Sequence, residues 1–150
     1  MKHSEIDLVL SGLIESAGSR DLRDVLAHLG ITVKRVAPSH PLLQGADAIY
    51  MKSTAFERVY ISETLPDELY SFTVAHEIGH AILHGGSELD HTTHLYKVCH
   101  KEEDAHYFAV RLLNLSIDRA YYDGYTDNQI AGFYGIQEDA VRYLAIDGLF

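Results

Sequence analysis

The segment His76-Glu77-Ile78-Gly79-His80 holds two histidines four residues apart, with a glutamate directly after the first. On a helix, side chains four residues apart lie one turn apart on the same face, so both imidazoles could reach one divalent metal ion. Glu77 would lie at the edge of that face, where a carboxylate can serve as a general base without being a ligand. The spacing therefore predicts a zinc site suited to hydrolysis.

A tetrahedral catalytic zinc site needs a third protein ligand and keeps its fourth position open. A histidine ten residues after His76 would indicate a metzincin, but Gly86 stands there, and that class is excluded. A carboxylate from a second helix is the other common arrangement. Three acids open the next helical segment and are candidates for this role, namely Glu102, Glu103 and Asp104.

Helix geometry separates these acids. Glu102 shares a face with the apolar residues that would pack inward, which are Ala105, Ala109 and Leu112. Glu103 points about 100° away, and a solvated acid in the first turn of a helix is its simpler interpretation. We therefore predict Glu102 as the third ligand and keep Glu103 in reserve.

Hydrophobic periodicity predicts the elements that must position these side chains. The long helical pattern that carries the motif starts at Pro66 and ends at His84, before Gly85 and Gly86. Residues 87–98 have no clean period and are predicted as a loop. The other predicted elements are helices over 5–17 and 22–29, strands over 31–36, 48–52 and 58–62, helices over 100–113 and 116–122, and a helical pair around Gly135 that extends through Leu144.

These elements predict an α+β, zincin-like fold in which a small twisted three-stranded sheet packs on the helix that carries the motif. Residues 1–115 would form this domain, and residues 116–150 a small helical appendage that resembles a helix-turn-helix. The appendage has two arginines against six acidic residues, so phosphate would repel it. We expect it to pack on the rest of the protein or to contact a protein partner.

The composition limits the possible functions. A chain of 150 residues that is 47% hydrophobic forms one domain, or one domain with a small addition. Its formal net charge of −10 has the wrong sign for direct nucleic-acid binding. A single cysteine, Cys99, excludes an internal disulfide. Because no signal-peptide core and no long apolar run occurs, we expect a cytoplasmic protein without membrane contact.

Two segments, FTVAHEIGHAILH at 72–84 and EEDAHYFAVRLLNL at 102–115, resemble the motifs of the ImmA/IrrE family of small zinc metallopeptidases. The resemblance implies a gluzincin-like site. His76, His80 and Glu102 would be the zinc ligands, and Glu77 would be the catalytic acid and base.

The chain departs from the family pattern at two positions. His106 stands where Asn or Asp is usual and where the side chain would orient a ligand, which an imidazole does in one tautomer only. We expect zinc binding to be weaker as a result. Leu115 replaces the usual proline and affects the helix boundary. His84, one turn beyond His80, is predicted to lie behind a ligand or at the helix end rather than on the ion.

Several residues between the two motifs are candidates for the donor that would stabilise the tetrahedral oxyanion. The sequence does not choose among them, and for each of them an exposed position without a role is the simpler expectation. They are His91, His94, Tyr96 and His100. Cys99 could bind zinc by its chemistry, but we predict a small buried apolar side chain.

The resemblance implies a protease of narrow specificity that cuts a helix-turn-helix repressor, or a similar regulator, of a mobile element or a stress response. The alternative is a non-catalytic, metal-stabilised binding protein, anti-repressor or toxin-like, that acts by protein–protein contact. A DNA-binding regulator is the third hypothesis, and the acidic charge argues against it.

Overall fold

The computed structural model describes residues 1–84 and 95–146, with the backbone alone at 95–100 and at 146. It is an α+β protein with a small three-stranded sheet, as predicted. Its helices and strands, in chain order, are α1 His3–Ala17, α2 Leu22–Leu29, β1 Ile31–Val36, β2 Ala48–Lys52, β3 Glu57–Ser62, α3 Tyr70–Leu83, α4 Leu95–Leu112, β4 Ser116–Ile117, α5 Asp127–Tyr134 and β5 Ala145–Ile146. Short 3₁₀ helices lie at Pro41–Leu43, Asp67–Leu69 and Glu138–Tyr143.

Local sequence signals set the ends of the helix before the sheet. The Asp21 carboxylate accepts a hydrogen bond from the backbone N–H of Arg23 and so caps the start of α2. Gly30 ends α2 with a φ of 71°, in the left-handed region that glycine adopts most easily. Because the next residue, Ile31, already pairs in the sheet, this one glycine turns the chain from helix to strand.

The sheet has the order β1-β3-β2. The central strand β3 runs parallel to β1, with Val59 opposite Val33, and antiparallel to β2, with Val59 opposite Tyr50. Strand β2 is therefore an edge strand, and it also packs against α3. This order brings one edge of the sheet, strand β2, next to the helix that carries the predicted site.

Helix α3 lies in the centre of the molecule, and every residue from 72 to 79 is buried. It crosses α4 at Gly79. A Cβ atom on Gly79 would lie 3.1 Å from Cδ1 of Phe108 and 3.2 Å from Cα of Ala105. Since the second of these atoms is backbone, it is the missing side chain of Gly79 that allows the two helices to approach so closely.

Helix α4 starts at Leu95, five residues before the predicted start at His100, so the predicted loop over 87–98 is wrong at its C-terminal end. No glycine or proline occurs between these two positions, and nothing local interrupts the helix there. The rest of that loop, and the predicted helix stop at Gly85 and Gly86, lie outside the described residues.

The predicted helix from Ser116 to Tyr122 is wrong. Residues 116–117 form strand β4, which pairs in parallel with β5. The carboxylate of Asp118 then accepts hydrogen bonds from the backbone N–H groups of Ala120 and Tyr121. Such local bonds stabilise a turn in place of a helix.

The last predicted helix is shorter and tighter than expected. It is a 3₁₀ helix over Glu138–Tyr143, and Leu144 is already extended because the chain enters β5. Apolar side chains of segment 116–146 nevertheless belong to the same core as α3 and α4, and these are Ile117, Ile130, Ala131, Ile136, Ala140, Val141 and Leu144. The division at residue 115 and the likeness to a helix-turn-helix stay predictions. Within the described residues, no helix has the length and apolar character needed to cross a bilayer.

Candidate metal centre

Three donor side chains from two helices meet at one point. His76 and His80 lie one turn apart on α3, and their Nε2 atoms are 3.1 Å apart. Glu102 of α4 places one carboxylate oxygen 3.1 Å from Nε2 of His76 and the other 2.8 Å from Nε2 of His80. The structure thus brings together the three residues that the sequence predicts as ligands.

The chemistry of these donors fits a zinc ion. Two imidazole nitrogens and one carboxylate are a common donor set for catalytic zinc, and bonds of about 2.1 Å at tetrahedral angles would put the donors roughly 3.4 Å apart. The observed separations of 2.8 to 3.1 Å are slightly shorter, so small side-chain shifts accommodate the ion. In addition, two neutral Nε2 atoms that face each other repel unless a proton or a cation lies between them.

The surroundings of His76 and Glu102 favour the ionisation states that a ligand requires. Burial lowers the pKa of His76 and keeps this imidazole neutral. Burial opposes the ionisation of Glu102, but hydrogen bonds from both imidazoles hold its pKa well below the usual range. For His80, burial lowers the pKa, yet the hydrogen bond that its N–H donates to Glu102 and the charges of Glu77 and Glu102 outweigh burial and raise the pKa. The carboxylate is therefore charged, as metal binding demands.

Glu77 is not part of the converging group, although it lies beside it. Its side chain is buried, with 9% of the residue exposed. Burial raises the pKa of Glu77 to about 7, and the charge of His80 and a hydrogen bond from the backbone N–H of Tyr50 in β2 oppose that rise. A carboxyl group with such a pKa can accept a proton and return it near neutral pH.

A cavity of about 210 Å³ opens onto these groups. Four parts of the chain contribute to its walls: Ala48 at the edge strand β2, Glu77 and its neighbours on α3, Glu102 on α4, and Gln137 in the C-terminal segment. The position of Gln137 means that segment 116–146 helps to build the site.

The two further histidines predicted near the ligands lie beside them and do not join the group. Nδ1 of His84 is 3.1 Å from Nδ1 of His80, on the side of the His80 ring away from Glu102. His106 packs next to His76, with ring centroids 4.7 Å apart, and its Nε2 lies 3.0 Å from Oε1 of Gln137.

Among the described side chains, the other two acidic candidates for the third ligand do not join the converging group. Glu103, the reserve ligand, points elsewhere and forms an ion pair with Arg142 at 3.1 Å. The candidate oxyanion donors and the cysteine have side chains that lie outside the described residues, and these are His91, His94, Tyr96, Cys99 and His100.

Sequence reasoning missed two residues next to the site. It weighed Asp104 only as a ligand, whereas the structure places Oδ2 of Asp104 3.6 Å from Nε2 of His84. Its position two residues after Glu102, roughly 200° around the helix, was a usable signal that it serves another neighbour. No local pattern marks Gln137, because its contact with His106 depends on how the chain folds back over 31 residues.

One protein-family model matches this chain. It is described as the IrrE N-terminal-like domain of peptidase family M78, and it matches residues 28–144. The matched range includes His76, Glu77, His80 and Glu102. No curated protein matches the sequence.

Proposed function

The chain belongs to the IrrE N-terminal-like family of peptidases, and on this premise we propose that it is a zinc-dependent metallopeptidase that makes site-specific cuts in a regulatory protein. The substrate class that we favour is a helix-turn-helix repressor, or a similar regulator, of a mobile element or a stress response. The observation that carries the proposal is the convergence of His76, His80 and Glu102 beside Glu77.

The residues of the site can divide the work of peptide hydrolysis between them. Zinc held by His76, His80 and Glu102 would supply a Lewis acid that polarises the scissile carbonyl and lowers the pKa of a water. Glu77 takes the proton of the attacking water and passes it to the leaving amine. Burial raises the pKa of Glu77 above that of an exposed carboxyl group, which favours acceptance of that proton.

The edge strand supports an extended peptide as the substrate. Strand β2 pairs with β3 on one side, and Ala48 at its start lines the same cavity as Glu77. A substrate segment could add to the sheet as a further strand, which would lay its backbone beside the donor group. Such binding requires a locally extended segment, so we expect cleavage in a loop or linker of the regulator.

The charge of the chain supports a protein partner. At a net charge of −10 it would be repelled by DNA and attracted by the basic surface with which a repressor contacts DNA. The proposal places the protein in the cytoplasm, where such a regulator acts, and the single cysteine is compatible with a reducing compartment.

The test is Glu77→Gln, with Glu103→Gln on the outer side of α4 as the matched control. With a purified helix-turn-helix repressor from the same genome as substrate, the wild-type protein should produce discrete fragments, detected by mass spectrometry. Glu77→Gln should keep its zinc, measured by elemental analysis, and lose about 10²- to 10⁴-fold in kcat/KM, which is the usual worth of a general acid and base. Glu103→Gln should cleave like the wild type.

The alternative function predicts a different result. A non-catalytic binding protein would relieve repression equally well as the wild type and as Glu77→Gln, without any cut in the regulator. That outcome would show that the peptidase proposal is wrong.

A further inference from the structure

His80 lies in the middle of a row of three imidazoles along α3. Its Nε2 faces Nε2 of His76 at 3.1 Å, and its Nδ1 faces Nδ1 of His84 at 3.1 Å. Both distances are within hydrogen-bond range. Because His84 meets the opposite nitrogen of the ring, it cannot reach an ion that His76, His80 and Glu102 share, so its place in the row needs another explanation.

Metal binding would determine which ring nitrogen carries the proton in His80 and in His84. If Nε2 of His80 is a ligand, its remaining proton must sit on Nδ1. That proton is then donated to Nδ1 of His84, which accepts it and must carry its own proton on Nε2. His84 can therefore accept this hydrogen bond only as the tautomer that carries its proton on Nε2.

Asp104 lies where this tautomer needs a negative charge. Nε2 of His84 is buried and has no hydrogen bond within the described residues. Oδ2 of Asp104 faces it at 3.6 Å, which is ion-pair range though longer than a hydrogen bond. Both side chains are about one-tenth exposed, so the attraction is little screened by water. The Asp104 carboxylate thus favours a proton on Nε2 of His84, and with it the acceptor state of Nδ1.

Among the described residues, His76 has no comparable support. Its Nδ1 is buried without a hydrogen bond within the described residues. The neighbouring ring, His106, directs its Nε2 to Oε1 of Gln137 and stacks against Phe72 with 15° between the ring planes. An N–H on the outer side of His76 would therefore remain unpaired, which costs free energy.

We propose that His84 is a positioning residue that, backed by Asp104, holds His80 in the tautomer and orientation needed for metal binding, a support that no other described residue gives to His76. This inference rests on the proposed function, because it assumes that His80 is a ligand. Partners that orient a ligating histidine typically change metal affinity 10- to 100-fold when they are removed.

The experiment measures the zinc dissociation constant of the whole chain by competition with a chromogenic chelator. His84→Ala removes the acceptor and should weaken zinc binding 10- to 100-fold. His84→Asn places an amide oxygen close to the former Nδ1 position and should restore most of the affinity. His28→Ala, an exposed histidine at the end of α2, is the control and should bind zinc like the wild type.

Two further readouts separate orientation from folding. Thermal unfolding in a chelator should show the same midpoint for His84→Ala and His84→Asn. Nitrogen-15 NMR of the zinc-loaded wild-type protein should show the His80 proton on Nδ1 and the His84 proton on Nε2.

The outcomes distinguish this inference from the function on which it rests. A zinc dissociation constant of His84→Ala within twofold of the wild-type value overturns the inference alone, as does a His84→Asn variant as weak as His84→Ala. A wild-type protein that does not bind zinc overturns both the inference and the proposed function.

Discussion

The α3–α4 helix pair and the C-terminal segment 116–146 differ in the side chains that they place against the usual preference for burial or exposure. In the helix pair, ionisable groups are buried, with His76 6% exposed and Glu77 and Asp104 9% exposed. In the C-terminal segment, large rings face the solvent, with Tyr121 72% and Phe133 64% exposed. Burying an ionisable group costs free energy unless partners satisfy it, whereas an exposed ring costs little. The buried ionisable groups, which cost more free energy than the exposed rings, therefore indicate that the candidate site lies in the helix pair.

The two regions also differ in packing. Gly79 of α3 has the side chain of Phe108 and the backbone of Ala105 against its open face. At Gly132 of α5, apart from the helix's own adjacent backbone, no described atom lies within 4 Å of the place where a Cβ would lie. The helix pair is thus fixed by close contact, while the outer side of α5 tolerates change. Substitutions of the same kind in the two settings should give different results.

The largest difference is expected between two neighbouring glutamates of α4. Glu102→Ala removes one of three donors and should weaken zinc binding by about a thousandfold or more, since the two remaining imidazoles hold a divalent ion poorly. Glu103→Ala removes an exposed ion pair with Arg142 and should leave the zinc dissociation constant within twofold. Its free energy of unfolding should fall by at most about 1 kcal/mol.

Isothermal titration calorimetry measures the zinc dissociation constant. Unfolding in urea measures the free energy of unfolding. Loss of zinc binding in Glu103→Ala with normal binding in Glu102→Ala would reverse the assignment and make the reserve residue the ligand.

A smaller difference is expected between two glycine-to-alanine substitutions, which should change the free energy of unfolding in opposite directions. Gly79→Ala should lower the free energy of unfolding by about 1–2 kcal/mol, because the gain in helix propensity is outweighed by contact with the α4 backbone. Gly132→Ala should raise it by about 0.5–1 kcal/mol, since the methyl group meets open space and the unfolded chain loses freedom.

Urea unfolding in the presence of a chelator measures both values without a contribution from zinc. If the two substitutions shifted the midpoint in the same direction, the described contrast in packing between α3 and α5 would not hold.

The difference between the helix pair and the C-terminal segment also explains which parts of the structure could be predicted from the sequence. His76, Glu77 and His80 could be placed because they share one long helix, whose period fixes their relative positions. Glu102 could be chosen over Glu103 because the apolar face of α4 showed which side turns inward. In the helix pair, therefore, local periodicity carried most of the information.

In the C-terminal segment, local periodicity was not enough. The residues after Ser116 form a turn because the Asp118 carboxylate bonds the backbone N–H groups ahead of it, and β4 exists because β5 pairs with it. Pairing and contacts between distant residues also decided the strand order β1-β3-β2 and the contact of Gln137 with His106. None of these depends on a repeating pattern that a sequence displays.

X-ray absorption at the zinc edge, on wild-type protein loaded with one equivalent of zinc, tests the central claim most directly. The account predicts one tightly held zinc per chain, with two imidazole nitrogens and a carboxylate oxygen at about 2.0–2.2 Å. A spectrum with a sulfur ligand, or with no more than one imidazole, would contradict the site of His76, His80 and Glu102.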